Sequence, residues 1–466
     1  MAGSVGSGKP TTPMRQVGAG GGPASLRPGL VLLFAEEHES LPPAWPLDAE
    51  RVVIGREPPA DLLLPVGSVS RTHAEVLWDG DRWLLRDLDS TNGTFVEGER
   101  IDQMELEPNL EIRIGDAVLK FVEKHADAHA RYRLDGTLVG GAQRRSPGSA
   151  LLGGWQMDRI AADLGRIAPT ELSVVLRGES GTGKEVVARE LHRQSGRRGD
   201  FCAVNCAAIP ATLLESELFG YKRGAFSGAD RDKPGLIKSA HDGTLLLDEI
   251  GDMPLDAQAK LLRVLQNKEV FPLGATTPER VDVRVVCATH RDLDKLQTEG
   301  RFRQDLFGRL NEYQLKLPPL RDRKEDVLML VRAFLARHGR PELRPSFSFM
   351  LALLLYDWPY NVRELEGCIK RSIALADGTV LGTEQLPDVV REALESFGSS
   401  RAPRSVPPPG AVPREDRGGT PSEAELRALL QTHAGNVAAV GRELGKARMQ
   451  IHRWMKRYGI EIDDYR

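Results

Sequence analysis

The sequence predicts a multidomain chain: an all-β sandwich, an α/β phosphate-binding unit with a helical lid subdomain, and a small all-α unit. Three observations predict it. Short apolar runs broken by Asp-Gly, Asn-Gly and Glu-Gly pairs fill the N-terminal part. An apolar strand, a glycine-rich loop and a helical pattern follow one another in SVVLRGESGTGKEVVARELHRQ. A Pro/Gly/Ser-rich stretch then precedes three short helical patterns at the C-terminus.

Bulk properties bound what this chain can do. Its 466 residues suit about three domains at roughly 150 residues each. A hydrophobic content of 41% and a charged content of 28% are ordinary for globular material. A net charge of -3 gives no chain-wide attraction to nucleic acid, so any DNA-binding surface must be local. The cysteines at 202, 206, 287 and 368 lack zinc-site spacing and read as reduced thiols of a cytoplasmic protein. No apolar run reaches the roughly 20 residues of a membrane helix, and the start has no signal-peptide stretch. No membrane association is expected.

Residues 1–27 read as a disordered leader. A glycine-lysine pattern there, Gly3 to Lys9, has no preceding strand and is followed by Pro10, so it reads as coincidence. Residues 28–123 are the sandwich, built from RVVIGR, HAEVLWDGDRWLLRDL, GTFVEGERI and EIRIGDAVLKFV. A polar linker is expected over 124–148. Over 149–320 apolar strands alternate with amphipathic helices, the pattern of a parallel sheet covered on both faces. From 321 to 395 the pattern is helical. Residues 396–421 read as a flexible linker. Residues 422–466 hold three helices, SEAELRALLQTH, VAAVGREL and ARMQIHRWMKRY, separated by breaks at Gly435-Asn436 and Gly445-Lys446. In the last, Ile451, Trp454, Met455 and Tyr458 form one buried stripe.

The loop Gly178, Glu179, Ser180, Gly181, Thr182, Gly183, Lys184, Glu185 has the strand-loop-helix setting of a phosphate cradle. Successive amides at a helix N-terminus face the anion, and Lys184 adds a point charge. The strand GTLLLDEI ends in Asp248-Glu249. Asp248 would hold Mg2+, and Glu249 would polarise an attacking water. Arg303 and Arg309 lie on one helical stretch, with Arg363 further on. Such arginines either make surface pairs, here with Asp305 or Glu366, or reach the γ-phosphate of a neighbour in a ring.

From Leu151 to Leu386 the chain resembles the sigma-54-dependent transcription activators of the AAA+ class. The resemblance rests on GESGTGKE, NCAAIPATLLESELFGYKRGAFSGA, GTLLLDEIGDMPLDAQAKLLRVLQ, FRQDLFGRL, LPPLRDRKEDV and WPYNVREL. It implies ATP at Gly178–Glu185, hydrolysis by Asp248 and Glu249, and Thr289 in a first sensor. It implies Arg363 as second sensor, and Arg303 and Arg309 acting in trans within a ring, expected to be hexameric. Asn205 would couple Glu249 to the surface loops by a switchable hydrogen bond. Gly224, Ala225, Phe226, Ser227, Gly228 and Ala229 match the loop that touches sigma-54 RNA polymerase. Four positions depart from the family pattern: Ser227 for Thr, His290 for Asn, Tyr360 for Gly, and FPLGATTP without an arginine before its glycine. None removes a catalytic group.

The sandwich resembles a forkhead-associated (FHA) domain through Gly55-Arg56, Ser70-Arg71-Thr72-His73 and Ser90-Thr91-Asn92-Gly93. The resemblance implies phosphothreonine recognition by Arg56, Ser70, Arg71, Thr91 and Asn92, with His73 buttressing the loop. The partner would be a phosphorylated protein, as from a Ser/Thr kinase pathway. Between Arg442 and Tyr458 six Lys/Arg face one acid, Glu443. A basic last helix after a short glycine turn resembles a Fis-type helix-turn-helix for enhancer-type upstream DNA. Arg448 and Gln450 are placed for base edges, Lys456 and Arg457 for phosphates, and Arg453 on the same outward face.

Overall fold

The computed structural model describes residues 27–141, 150–395, 421–433, 437–444, 448–460 and 462–465. Nearly all of the expected leader, the end of the 124–148 linker, the 396–420 stretch and the Gly435-Asn436 and Gly445-Lys446 breaks lie outside these residues. Among the described residues no helix is long and apolar enough to cross a membrane.

The first unit packs a six-stranded sheet on a five-stranded one. Their inner faces share a core that includes Leu32, Ile54, Val76, Leu85, Ile112 and Leu119, all fully buried. Asn92-Gly93 supplies a tight connection in which Gly93 takes a φ of 76°, a left-handed value glycine adopts without a Cβ penalty. Three strands matter later: β1 (Gly29–Phe34), β2 (Glu111–Ile114) and β3 (Ala117–Val122). β2 and β3 form a hairpin in which Glu111 stands opposite Lys120.

The region expected as a linker is folded in its first part. Helix α1 (Ala126–His129) packs on β1, and Tyr132 bridges to Leu138. Its aromatic and histidine side chains explain this. The rings of His125 and His129 pack tilted against Trp155, and the Tyr132 hydroxyl donates to Asp158 Oδ2 at 2.7 Å.

The central unit is a parallel five-stranded sheet. In chain order its strands are β4 (Val174–Arg177), β5 (Phe201–Asn205), β6 (Thr244–Asp248), β7 (Arg284–Thr289) and β8 (Tyr313–Lys316). Their spatial order is β5-β6-β7-β4-β8. The middles of β6 and β7, Leu245 to Leu247 and Val285 to Ala288, are apolar because both faces are covered, by α2 (Trp155–Ile167), α3 (Lys184–Ser195) and α4 (Ala211–Phe219) among others. The C-terminal strand ends therefore carry the polar residues, as in other open α/β sheets.

The lid holds α5 (Val327–Arg337), α6 (Phe347–Leu355), α7 (Asn361–Ala374) and α8 (Asp388–Glu395). Ser346 caps α6 by accepting from Phe349 N at 3.2 Å. The lid and the sandwich share one hydrophobic core, with Phe34 of β1 against Phe347 at 6.0 Å.

Three more helices follow, α9 (Glu423–Thr432), α10 (Val437–Leu444) and α11 (Arg448–Arg457). Ser422 and Glu425 form a reciprocal capping box at the start of α9. Leu426, Leu430, Val437, Val440, Ile451, Trp454 and Met455 make their common core. Tyr458 sits at its edge, half-buried, with its hydroxyl donating to Pro421 O at 2.9 Å.

Candidate functional site

The phosphate loop runs from the end of β4 into α3. Gly181 and Gly183 take φ values of 78° and 103°, which turn successive amides toward one side. Every charged group in the loop has an internal partner. Lys184 Nζ, buried, donates to Gly178 O at 2.8 Å and Glu179 O at 3.2 Å and lies 3.8 Å from Glu249 Oε1. Burial pushes the Lys184 ammonium below its ordinary value, against the pull of Glu249 and Asp248. Glu179 takes a bidentate pair from Arg321, one arm at 2.7 Å. Asn361 Nδ2 donates to Glu179 Oε2 at 3.2 Å and Ser180 O at 3.0 Å, while its Oδ1 accepts from Leu320 N at 2.8 Å. Arg363 Nη1 donates to Ser180 Oγ at 3.2 Å. A Cβ at Gly181 would lie 2.0 Å from the Tyr360 carbonyl oxygen. The lid thus rests directly on the loop.

Glu185 can serve the cradle only through its backbone amide, because its side chain is engaged elsewhere. Its carboxylate accepts from Arg189 at 2.7 Å, an i,i+4 pair on the exposed face of α3. Helical spacing turns the side chain away from the cradle.

Asp248 ends β6, in register with Asn205 on one side and Ala288 on the other, and Glu249 follows directly after it. Burial and the adjacent Glu249 raise the Asp248 carboxyl above its ordinary value. Glu249 takes a left-handed φ of 51°. Its Oε2 accepts from His290 Nδ1 at 2.7 Å and from His290 N at 3.3 Å. A carboxylate only accepts, so the Nδ1 of His290 carries the proton. Asn205 does not reach Glu249: its Oδ1 accepts from Ala207 N at 2.9 Å and Ala208 N at 3.1 Å, closing an Asx turn. The short Asn side chain satisfies its own turn, and the longer imidazole spans to the carboxylate. Thr289 is fully buried, its Oγ1 accepting from Arg291 N at 3.0 Å. Arg303 pairs with Asp305 at 2.7 Å, and Arg309 is exposed. Glu366 is engaged instead by His338, Arg337 and Lys370.

The loop after α4 presents Phe226 at 44% exposure, its ring edge-on to Tyr221 at 4.9 Å. Gly224 and Gly228 take positive φ, and Ser227 is exposed beside them. Ala229, expected among the contact residues, is buried. Its carbonyl accepts from Gly224 N at 2.9 Å and its N–H donates to Phe226 O at 3.0 Å, so it ties the base of the loop. Gly274 of FPLGATTP lies against Ala225, where a Cβ would meet the Ala225 Cβ at 2.9 Å.

In the sandwich, Arg56, Arg71, Thr91 and Asn92 are exposed around Ser70 at one end. Thr91 N donates to Ser70 Oγ at 3.1 Å, and Asn92 Nδ2 to Ser68 O at 2.7 Å. His73 is fully buried: its Nδ1 accepts from Ser70 N at 3.0 Å, so its Nε2 carries the proton and donates to Gly93 O at 3.2 Å. Burial pushes this imidazole below its ordinary value. The buttress expected of His73 is therefore a neutral ring joining both loops.

A sigma-54 interaction domain matches residues 153–316, an FHA domain residues 52–115, and an AAA+ ATPase lid domain residues 321–402. The chain is 40% identical to the regulatory protein AtoC of Escherichia coli over 310 residues, 66% of this chain and 66% of AtoC. It is 40% identical to the nitric oxide reductase transcription regulator NorR1 of Cupriavidus necator over 399 residues, 82% of this chain and 76% of NorR1. The chain belongs to the sigma-54-dependent transcription activators. It is also similar to the crystal structure of NtrX from Brucella abortus in complex with ATP, 31% identical with a TM-score of 0.48, over 68% of this chain and 71% of that one.

As a sigma-54 activator with an N-terminal FHA domain, the chain carries an ATP-binding AAA+ ATPase in its central unit. Two site residues went beyond the expected set. Asn361 clamps the phosphate loop, and its place in WPYNVREL, two residues before Arg363, is the signal that could have found it. His290 holds Glu249, and its departure from the family's Asn was the signal. The cysteines take no part: all four are free, and burial pushes Cys206 and Cys368 up to about 12. Cys202 is only half-buried. In α11 the side chains of Arg448, Gln450, Arg453 and Lys456 lie outside the described residues, and Arg457 is exposed.

Proposed function

We propose that this chain is an ATP-hydrolysing activator that remodels sigma-54 RNA polymerase at promoters. It would bind enhancer-type upstream DNA through α9 to α11 and be regulated by a phosphothreonine-containing protein at its FHA domain. One observation carries the reading: Lys184 lies 3.8 Å from Glu249, next to Asp248, on the same unit as an exposed aromatic loop tip, Phe226. Glu249 polarises the attacking water from Oε1, because Oε2 is taken by His290. Arg363 already lies against the phosphate loop and follows the nucleotide's phosphates. Arg303 and Arg309 serve the neighbouring subunit of a homo-oligomeric ring, where a guanidinium offsets charge developing on the γ-phosphate.

Mg2+ fits the donors at hand. Among the described residues no three His, Cys, Asp or Glu form a cluster that could hold a metal ion alone. Mg2+ takes one or two carboxylates and completes its shell with phosphates and water. Asp248, a carboxylate burdened by burial and by Glu249, would be that ligand. The ion would neutralise phosphate charge. The helix α11 lies in a segment with a local basic excess, which supports DNA binding that weakens steeply with salt.

The test is transcription in vitro from a closed sigma-54 promoter. Transcript should require hydrolysable ATP and upstream DNA. Phe226→Ala should lose sigma-54 binding in the presence of a transition-state analogue of ATP. Full binding by that variant would sink the loop assignment, and transcription without hydrolysis would sink the mechanism.

A further inference from the structure

A four-residue stretch, Arg323-Lys324-Glu325-Asp326, joins three parts of the molecule through buried charges. Lys324 Nζ donates to Glu111 Oε2 of β2 at 2.7 Å, and Lys120 Nζ of β3 donates to Glu325 Oε2 at 2.5 Å. Glu111 and Lys120 are themselves cross-strand neighbours, so the lid meets an alternating quartet of charges. Arg323 and Asp326 turn the other way. Arg323 Nη2 donates to Thr182 O in the phosphate loop at 3.2 Å, and its Nη1 lies 3.6 Å from Asp326 Oδ2. Asp326 Oδ1 accepts from Gly154 N, at the start of α2, at 2.7 Å. All four side chains are at most 9% exposed.

Stability alone does not account for this arrangement. Buried ion pairs are often matched or bettered by apolar residues of the same volume. Arg323 is also under-bonded for a buried guanidinium, since its Nε is buried without a hydrogen bond among the described residues. Such a group is held in place for what it touches.

The hairpin carries the connection further. Its turn lies at the phosphothreonine end: Asp116 N donates to Ser68 Oγ at 2.8 Å, and Ser68 O accepts from Asn92 Nδ2 at 2.7 Å. One rigid hairpin therefore contacts the FHA recognition loops at its turn and the lid at its open end.

We propose that Arg323 is a positioning residue for the phosphate loop, and that Arg323–Asp326 is the relay through which phosphothreonine engagement alters ATP binding. The relay rests on the reading of the FHA domain as a phosphothreonine receptor. Its input is the β2–β3 hairpin, its junction the Glu111–Lys324 and Lys120–Glu325 pairs, and its output the carbonyl of Thr182.

The test uses the full chain and a mixture of short phosphothreonine peptides, with unphosphorylated peptides as control. Arg323→Met should raise the KM for ATP about tenfold with kcat changed far less, and Arg323→Lys should recover part of the loss. An unchanged KM in Arg323→Met would overturn the positioning role. The double variant Glu111→Leu/Lys324→Met removes a junction pair without stranding either charge. It should bind peptide in calorimetry as the unchanged chain does, yet lose the peptide's effect on the KM for ATP. A peptide effect of the same size in the double variant would overturn the relay. So would the absence of any effect in the unchanged chain despite peptide binding. Absence of peptide binding by the unchanged chain would overturn the phosphothreonine reading instead, and Arg323 would then be judged on the KM of its variants.

Discussion

On the proposed function two loops in this molecule meet phosphate, and they prepare for it in opposite ways. In the FHA domain Arg56 and Arg71 extend from the surface, and Arg71 has only a 3.8 Å pairing with Glu57. The scaffold beneath them is locked by the neutral His73 and the Asn92–Ser68 bond. In the ATPase the charged groups are tied to protein partners: Lys184 to carbonyls, Glu179 to Arg321, and the exposed Arg363 to Ser180. The first loop gains contacts when its ligand arrives. The second must exchange contacts it already has, so nucleotide binding there rearranges protein bonds. A receptor suits the first design, and a motor that converts ligand state into motion suits the second.

The sharpest way to break this contrast is at Glu249. Glu249→Gln should bind ATP with little change and lose hydrolysis by about a hundredfold or more, the scale of a general base. Near-normal turnover in a phosphate-release assay would remove Glu249 from the chemistry. Next in size, Arg56→Ala should weaken phosphothreonine-peptide binding by roughly ten- to a hundredfold, because a charge-assisted bond to a dianion is lost. Calorimetry showing unchanged affinity would refute its role. His290→Ala should lower kcat by about tenfold with the KM for ATP preserved, while Asn205→Ala changes turnover less. The reverse ranking would return Asn205 to the position the family pattern implies.

The smallest effect is on pH. His73 has a folded-state value below its unfolded one, and its stabilisation is complete above about pH 6.5 and drains as pH falls. Asp87 has the same sign at lower pH. Burial works against its carboxylate, yet bonds from Ser90 and Thr94 hold it below the ordinary range. Hydrogen exchange at the Ser70 amide should therefore quicken as the protein is acidified below about pH 6 beyond the trend of other amides. A constant ratio would show that His73 does not lock the loops.

Much of this was legible in the sequence because it is local. The phosphate loop, the acidic pair and the FHA loops are contiguous patterns whose spacing carries their geometry. The shared core and the buried junction between FHA domain and lid were not legible. Lys120 and Glu325 are 205 positions apart, and Glu111 and Lys324 are 213 apart, so no periodicity links them. Each reads alone as a solvated surface charge. The packing of α1 was missed for a related reason, since its polar residues looked like linker until Trp155 met His125 and His129. Asn205 and Glu185 were assigned by family position, and here short-range competitors, an Asx turn and an i,i+4 ion pair, take their side chains.

The clearance at Gly181 sets how far these parts can slip. The Tyr360 carbonyl occupies the space a methyl group would need, and Gly181 O accepts from Val362 N at 3.1 Å. With no slack between them, the phosphate loop acts as a cam and helix α7 as its follower. Any rise of the loop toward a nucleotide must push the lid by a similar distance, and whatever is fastened to the lid travels with it.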